Sequence, residues 1–111
     1  MGEKKIYLIY AEKIDAYKIG ISKNPAKRIK NLQTGCPYEL SLLNVFKSNF
    51  PHQLEKAIHK KYLSYKKNID QDEISGEWFN LPFNCVVNFL EECESIENNF
   101  RILKEAGNPF V

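Results

Sequence analysis

Paired cysteines are the first thing missing from this chain. Its 111 residues contain three, Cys36, Cys85 and Cys93, an odd number with no C-x-x-C spacing. A disulfide framework is therefore not expected, nor a zinc site, since His52 and His59 lie far from any paired thiols. No signal peptide is read at the start and no apolar run approaches a membrane span. The expectation is buried, reduced thiols in a cytoplasmic protein, or a nuclear one if the source is eukaryotic. Internal repeats and low-complexity stretches are absent too. A strong excess of one charge is also lacking: sixteen basic against fourteen acidic residues give only +2, which by itself predicts no partner.

What is present is globular. A hydrophobic fraction of 43% and an aromatic fraction of 13% suffice for one modest core, not for two domains. The charges are unevenly placed. Almost all Lys and Arg fall within residues 1–70, whereas Asp70, Asp72, Glu73, Glu77, Glu91, Glu92, Glu94 and Glu97 make the remainder acidic. The N-terminal part can thus present a basic face of the kind that meets nucleic-acid phosphates, or simply a solvated lysine-rich surface.

Lys5 to Tyr10 is rich in β-branched and aromatic residues and reads as a strand, with Tyr17 to Ser22 returning antiparallel after the polar loop Glu12-Lys13-Ile14-Asp15. Gly20 inside the second strand predicts a bulge or a close approach of something to the backbone. Asn24 and Pro25 are an N-cap and a first helical residue, and Gly35 followed by Cys36-Pro37 stops that helix. Leu40 to Phe46 predicts a third strand, apolar enough to be central. Pro51 opens a second helix with Leu54, Ile58, Tyr62 and Tyr65 on its core face. Asn68 to Gly76 reads as a polar surface loop, and Trp78-Phe79-Asn80-Leu81 as an apolar clasp. Pro82 starts a last helix reaching about Leu103. The sum is an α+β fold, β-β-α-β-α-α, with a small three-stranded antiparallel sheet flanked by helices.

Strand alternation places Tyr7 and Ile9 on one face and Ile6, Leu8 and Tyr10 on the other; in the returning strand Lys18 and Gly20 share a side opposite Tyr17 and Ile19. Taken alone, a strand tyrosine packs its ring on the sheet and turns its hydroxyl to water. Arg28, early in a helix whose dipole favours anions, reads either as a solvated arginine or as a bidentate phosphate clamp. Glu55 and His59, four residues apart, read as a surface pair or as a hard-oxygen ligand for Mg²⁺ with a neighbouring imidazole. Trp78 reads as a core residue rather than a base-stacking one.

Together these stretches carry a resemblance. Ile6-Tyr7-Leu8-Ile9, Tyr17-Lys18-Ile19-Gly20-Ile21-Ser22, the run from Asn24 to Gly35, the run from Leu54 to Tyr62, and Gly76-Glu77-Trp78-Phe79 occur in the order found in the GIY-YIG nuclease superfamily. The chain resembles the branch described as meiotically up-regulated gene 113-like, which also takes in many phage open reading frames. The similarity covers roughly residues 5–81, so residues 1–81 are expected to form the nuclease-like domain, with 82–111 a C-terminal helix packed on it. Two positions depart from the motif: Lys5 replaces the initial glycine, and Lys18 stands where the second tyrosine is expected, with Tyr17 displaced by one residue.

The resemblance implies metal-dependent endonucleolytic hydrolysis of DNA. Tyr7 would deprotonate or position the attacking water, Arg28 would stabilise charge on the phosphate, and Glu55 would hold one Mg²⁺ or Mn²⁺ ion. Lys18 and His59 complete the expected catalytic set, and Tyr17, Lys23, Lys27 and Lys30 are expected to contact the substrate. A phenol ionising near 10 is a poor base at neutral pH unless cations surround it, which gives Lys18 and Arg28 a purpose. Asn68 and Asn80 are candidates for the asparagine that often follows the glutamate. DNA is the expected partner, with a homodimer through the last helix or a separate DNA-recognition protein as additional partners. The alternatives are an inactive nucleic-acid-binding module or a protein-interaction domain.

Overall fold

The alternation that starts at Ile6 organises the sheet. β1 (Lys5–Ala11) is central: it pairs antiparallel with β2 (Ala16–Ser22) on one side and with β3 (Leu40–Lys47) on the other. A single 3-10 turn over Glu12–Ile14 joins β1 to β2, closed by Asp15 at φ 47, a left-handed conformation that aspartate tolerates better than most residues. The structure, a computed structural model, describes residues 3–67 and 78–107. Within them the sheet has five strands in the order β3-β1-β2-β5-β4, where β4 is Lys66–Lys67 and β5 is Trp78–Phe79.

Two expectations about this sheet need correction. It has five strands rather than three, because strands of two residues carry no readable alternation; the expected Trp78-Phe79 clasp is one of them. The third strand is at an edge, not central. Its apolar residues do not require burial on both faces: Leu43 and Val45 are exposed, and the register shifts between Leu8 and Ile9 of the neighbouring strand, consistent with the bulges common at sheet edges.

Helices cover both faces. On the Ile6 and Leu8 face lie α2 (Pro51–Lys61), α3 (Phe83–Val87) and α4 (Phe89–Glu105), whose Leu54, Ile58, Phe89 and Cys93 join Ile6, Leu8, Ile19 and Phe79 in the main core. Burial of each large aliphatic or aromatic side chain there contributes about 1.5–3 kcal/mol. On the other face, α1 (Pro25–Thr34) packs against β1, β2 and β3, near a smaller cluster of Ala11, Ala16 and Trp78.

Local signals hold at α1. Asn24 Oδ1 accepts from the Lys27 amide at 3.1 Å, and Pro25 occupies the first turn. At α2 the residue before the helix provides no side-chain cap. The carboxylate of Glu97 on α4 instead caps the turn leading into the helix, accepting from Ser48 Oγ and from the Asn49 amide, both at 2.7 Å. Glu97 and Ser48 are buried, and the negative charge sits at the favourable end of the α2 dipole.

Three further expectations fail in detail. Tyr65 does not face the core; α2 ends at Lys61, and Tyr65 lies in a following 3-10 turn, exposed. The last helix is two helices, broken at Asn88, and its apolar residues Val87 and Leu90 are exposed while Phe89 and Cys93 are buried. The expected loop Asn68 to Gly76 lies outside the described residues, as does Asn68 itself. Among the described residues, no helix is long and apolar enough to cross a membrane.

Candidate active site

Register decides which side chains meet. Tyr7 pairs with Gly20 and Ile9 with Lys18, so Tyr7, Lys18 and Gly20 share one face of the β1–β2 ribbon. The Tyr7 ring lies across Gly20: a methyl built on Gly20 would sit 2.5 Å from Tyr7 Cζ and nearer still to the hydroxyl oxygen. Of the two possibilities for Gly20, close approach is the one realised; the β1–β2 register runs unbroken through it.

The opposite layer reaches the same place around an edge. Among the described residues, β5 pairs with β2 only at Tyr17. Just beyond that pair, the Ile19 carbonyl oxygen lies 2.7 Å from His59 Nε2 on α2. A carbonyl can only accept, so His59 donates through Nε2. Glu55, one helical turn before His59, points along the same side of α2.

The result is a cleft of about 270 Å³ lined by Tyr7, Lys18, Arg28, Glu55 and His59, with Ile19, Gly20 and Ile21 as its floor. All five residues expected to be catalytic line it. Tyr7 is almost fully buried, Lys18, Glu55 and His59 are half-buried, and Arg28 is exposed. Two basic side chains and one carboxylate line it, a balance suited to a phosphate.

The residues expected to bind substrate are placed differently. Tyr17 does not reach the cleft. It lies on the other face, its ring stacked on Tyr10 with centroids 4.6 Å apart. Burial first, and then the Asp15 charge, raises its hydroxyl above the ordinary pKa of 10.0, so Tyr17 holds its proton. Tyr10 is raised as well, chiefly by its own hydrogen bond to Asp15. Lys23, Lys27 and Lys30 are exposed and outside the cleft lining, on or just before α1. Asn80 is also outside it, its amide donating to the Tyr65 carbonyl.

Two aromatic neighbours of the site enter the sequence reading only as an apolar clasp, with no part in the site. Lys18 Nζ stands over the Trp78 ring, 5.6 Å from its centroid. The His59 ring meets Phe79 edge-on, with centroids 5.2 Å apart and planes at 65°. The motif Gly76-Glu77-Trp78-Phe79 is the one signal that could have pointed to them.

A single carboxylate in the cleft fits Mg²⁺ or Mn²⁺ better than zinc, because these ions keep most of their waters and take phosphate oxygens as ligands. Among the described residues, no group of three His, Cys, Asp or Glu forms a ready-made metal cage. Glu55 would therefore hold such an ion together with water and substrate.

Comparison with known proteins gives one positive result. Residues 4–97 match the T5orf172 domain, a phage-associated domain related to nuclease-like folds of the GIY-YIG or HNH kind. The match includes the whole cleft and continues past Leu81 through α3 and about half of α4. No curated protein and no solved structure matches the chain. With the match spanning the sheet, the cleft and most of the helices, the chain belongs to the T5orf172 domain family.

Proposed function

We propose that this protein is a Mg²⁺- or Mn²⁺-dependent endonuclease that hydrolyses DNA phosphodiester bonds. One observation carries the reading: Tyr7, Lys18, Arg28, Glu55 and His59, drawn from four separate elements, line one cleft. Membership of a nuclease-related family supports it.

Each residue has a role that its placement supports. Tyr7 is held by burial and by Gly20, so its hydroxyl is a fixed acceptor for an attacking water. Lys18, on the same face and lining the same cleft, would orient the attacking water or bind the phosphate. Arg28, exposed at the rim, clamps the phosphate with two parallel N–H donors and stabilises charge as it develops. His59, oriented by its hydrogen bond to the Ile19 carbonyl, assists proton transfer in the cleft. Glu55 would hold the divalent ion, which when bound would supply Lewis-acid polarisation of the phosphate and stabilise the leaving oxygen. Lys23, Lys27 and Lys30 extend the cationic surface beyond the cleft and hold the flanking backbone.

The test is nicking of supercoiled plasmid with Mg²⁺ or Mn²⁺, with and without chelator. Nicking is expected to require the metal and to fall by roughly 10²–10³-fold in Arg28→Ala and at least as far in Glu55→Ala. A wild-type protein that does not nick, or a Glu55→Ala variant that nicks equally well, sinks the nuclease reading. Salt-sensitive DNA binding without cleavage would then identify a binding module that keeps the fold.

A further inference from the structure

We propose that Trp78 and Phe79, consecutive residues of β5, are positioning residues that hold Lys18 and His59 in place from opposite faces of the sheet. The proposal rests on reading the cleft as an active site. Its physical basis is the alternation of a strand: two successive side chains must leave on opposite sides. β5 pairs with β2 at Tyr17, immediately before Lys18, so its two rings bracket the sheet edge at the point where the cleft begins.

On one face, Trp78 is 4% exposed and packs with Ala11 and Ala16. Its indole carries the Lys18 ammonium at 5.6 Å. A lysine is a point charge on a flexible four-carbon stem, and an aromatic face is one of the few supports that confines it while leaving its charge intact. On the other face, Phe79 is 1% exposed in the main core and meets the His59 ring edge-on. The Ile19 carbonyl on Nε2 and the Phe79 ring beside it both bear on the His59 imidazole. Burial of Trp78 removes base stacking from its possible roles. Neither ring can exchange a proton, so both reach the reaction only through Lys18 and His59.

The chain has one tryptophan and two histidines, which allows both contacts to be read in the intact protein without turnover. Lys18→Met is expected to change the Trp78 fluorescence emission. Phe79→Leu is expected to move the His59 Cε1–H resonance while that of His52 stays in place. In plasmid nicking, Trp78→Leu and Phe79→Leu are expected to lower kcat by roughly 10- to 100-fold with KM nearly kept. Trp78→Phe, which retains an aromatic face, recovers most of the loss. Unchanged emission in folded Lys18→Met, an unmoved His59 resonance in folded Phe79→Leu, or full kcat in Trp78→Leu overturns the proposal. If both spectral changes occur but the wild-type protein never nicks, the two contacts stand and the nuclease reading falls.

Discussion

The Tyr7 ring lies across the Cα of Gly20, its partner on the adjacent strand, with no room between them for a methyl group. Tyr7 is buried, so its phenol cannot swing aside at little cost. Gly20→Ala is expected to cost about 1–3 kcal/mol in stability, the usual range for an overpacked site. It should also displace the hydroxyl and lower nicking by at least about tenfold. Chemical denaturation and the plasmid assay on the same preparation check both effects. Unchanged activity in a folded Gly20→Ala protein would remove Tyr7 from the proposed mechanism.

The distant cap on α2 makes a second prediction. Glu97 accepts two hydrogen bonds at the start of the helix that carries Glu55 and His59. Glu97→Ala leaves the buried Ser48 hydroxyl and the Asn49 amide without that acceptor, at a cost of about 2–3 kcal/mol. Glu97→Gln, which retains one oxygen acceptor, should cost less. Urea unfolding midpoints of the three proteins decide the matter, and equal midpoints would mean that the cap contributes nothing.

DNA binding is expected to separate from cleavage. Lys27 and Lys30 are exposed on α1 and stand outside the cleft. Removing either charge should weaken binding at low salt irrespective of sequence. It should also reduce the slope of log K against log salt by ~0.9 for each phosphate left without its cation. Single-turnover cleavage of bound DNA should change little. A slope that stays constant places the DNA on another surface.

Alkaline stability carries a signature of the core. Burial, with smaller contributions from Glu92 and Glu97, pushes the Cys93 thiol up to about 12 from an ordinary value of 9.0. The folded state therefore retains a proton that the unfolded chain loses above its ordinary value. This contribution is complete below that pH and disappears as pH rises towards the folded value, at no more than ~1.4 kcal/mol per pH unit. Tyr62, also raised chiefly by burial, acts with the same sign above its ordinary 10.0. Denaturation of wild type and Cys93→Ala at about pH 8 and about pH 10, on either side of the ordinary thiol value, should show a shallower decline in the variant. Parallel declines would contradict the assignment.

Much of the site can be read from spacing, and the reasons are local. Alternation along a strand needs only the sequence, so the sharing of a side by Lys18 and Gly20, and the exclusion of Tyr17 from it, follow directly; that Tyr7 lies on their face is set by the cross-strand register. The Asn24 cap and the Pro25 start of α1 are likewise contained in a few consecutive residues. Leu40 to Phe46 misleads because apolar content measures what a strand can bury, not how many neighbours it has; Leu43 and Val45 remain at the surface. The two-residue strands β4 and β5 have no periodicity to detect.

The sequence alone determined the α+β class, the starts of α1 and α2 and the residue types able to hold a phosphate. Tertiary structure decided how two layers meet at one edge. Where β2 runs past its pairing with β5, the Ile19 carbonyl turns to His59, and α2 brings Glu55 into the cleft that Tyr7 lines. Trp78 and Phe79 support that edge from both faces, and Glu97 fastens the helix from 48 residues away along the chain. These contacts depend on strand order and helix packing, which arise from burial summed over the whole core. No short stretch of sequence contains them.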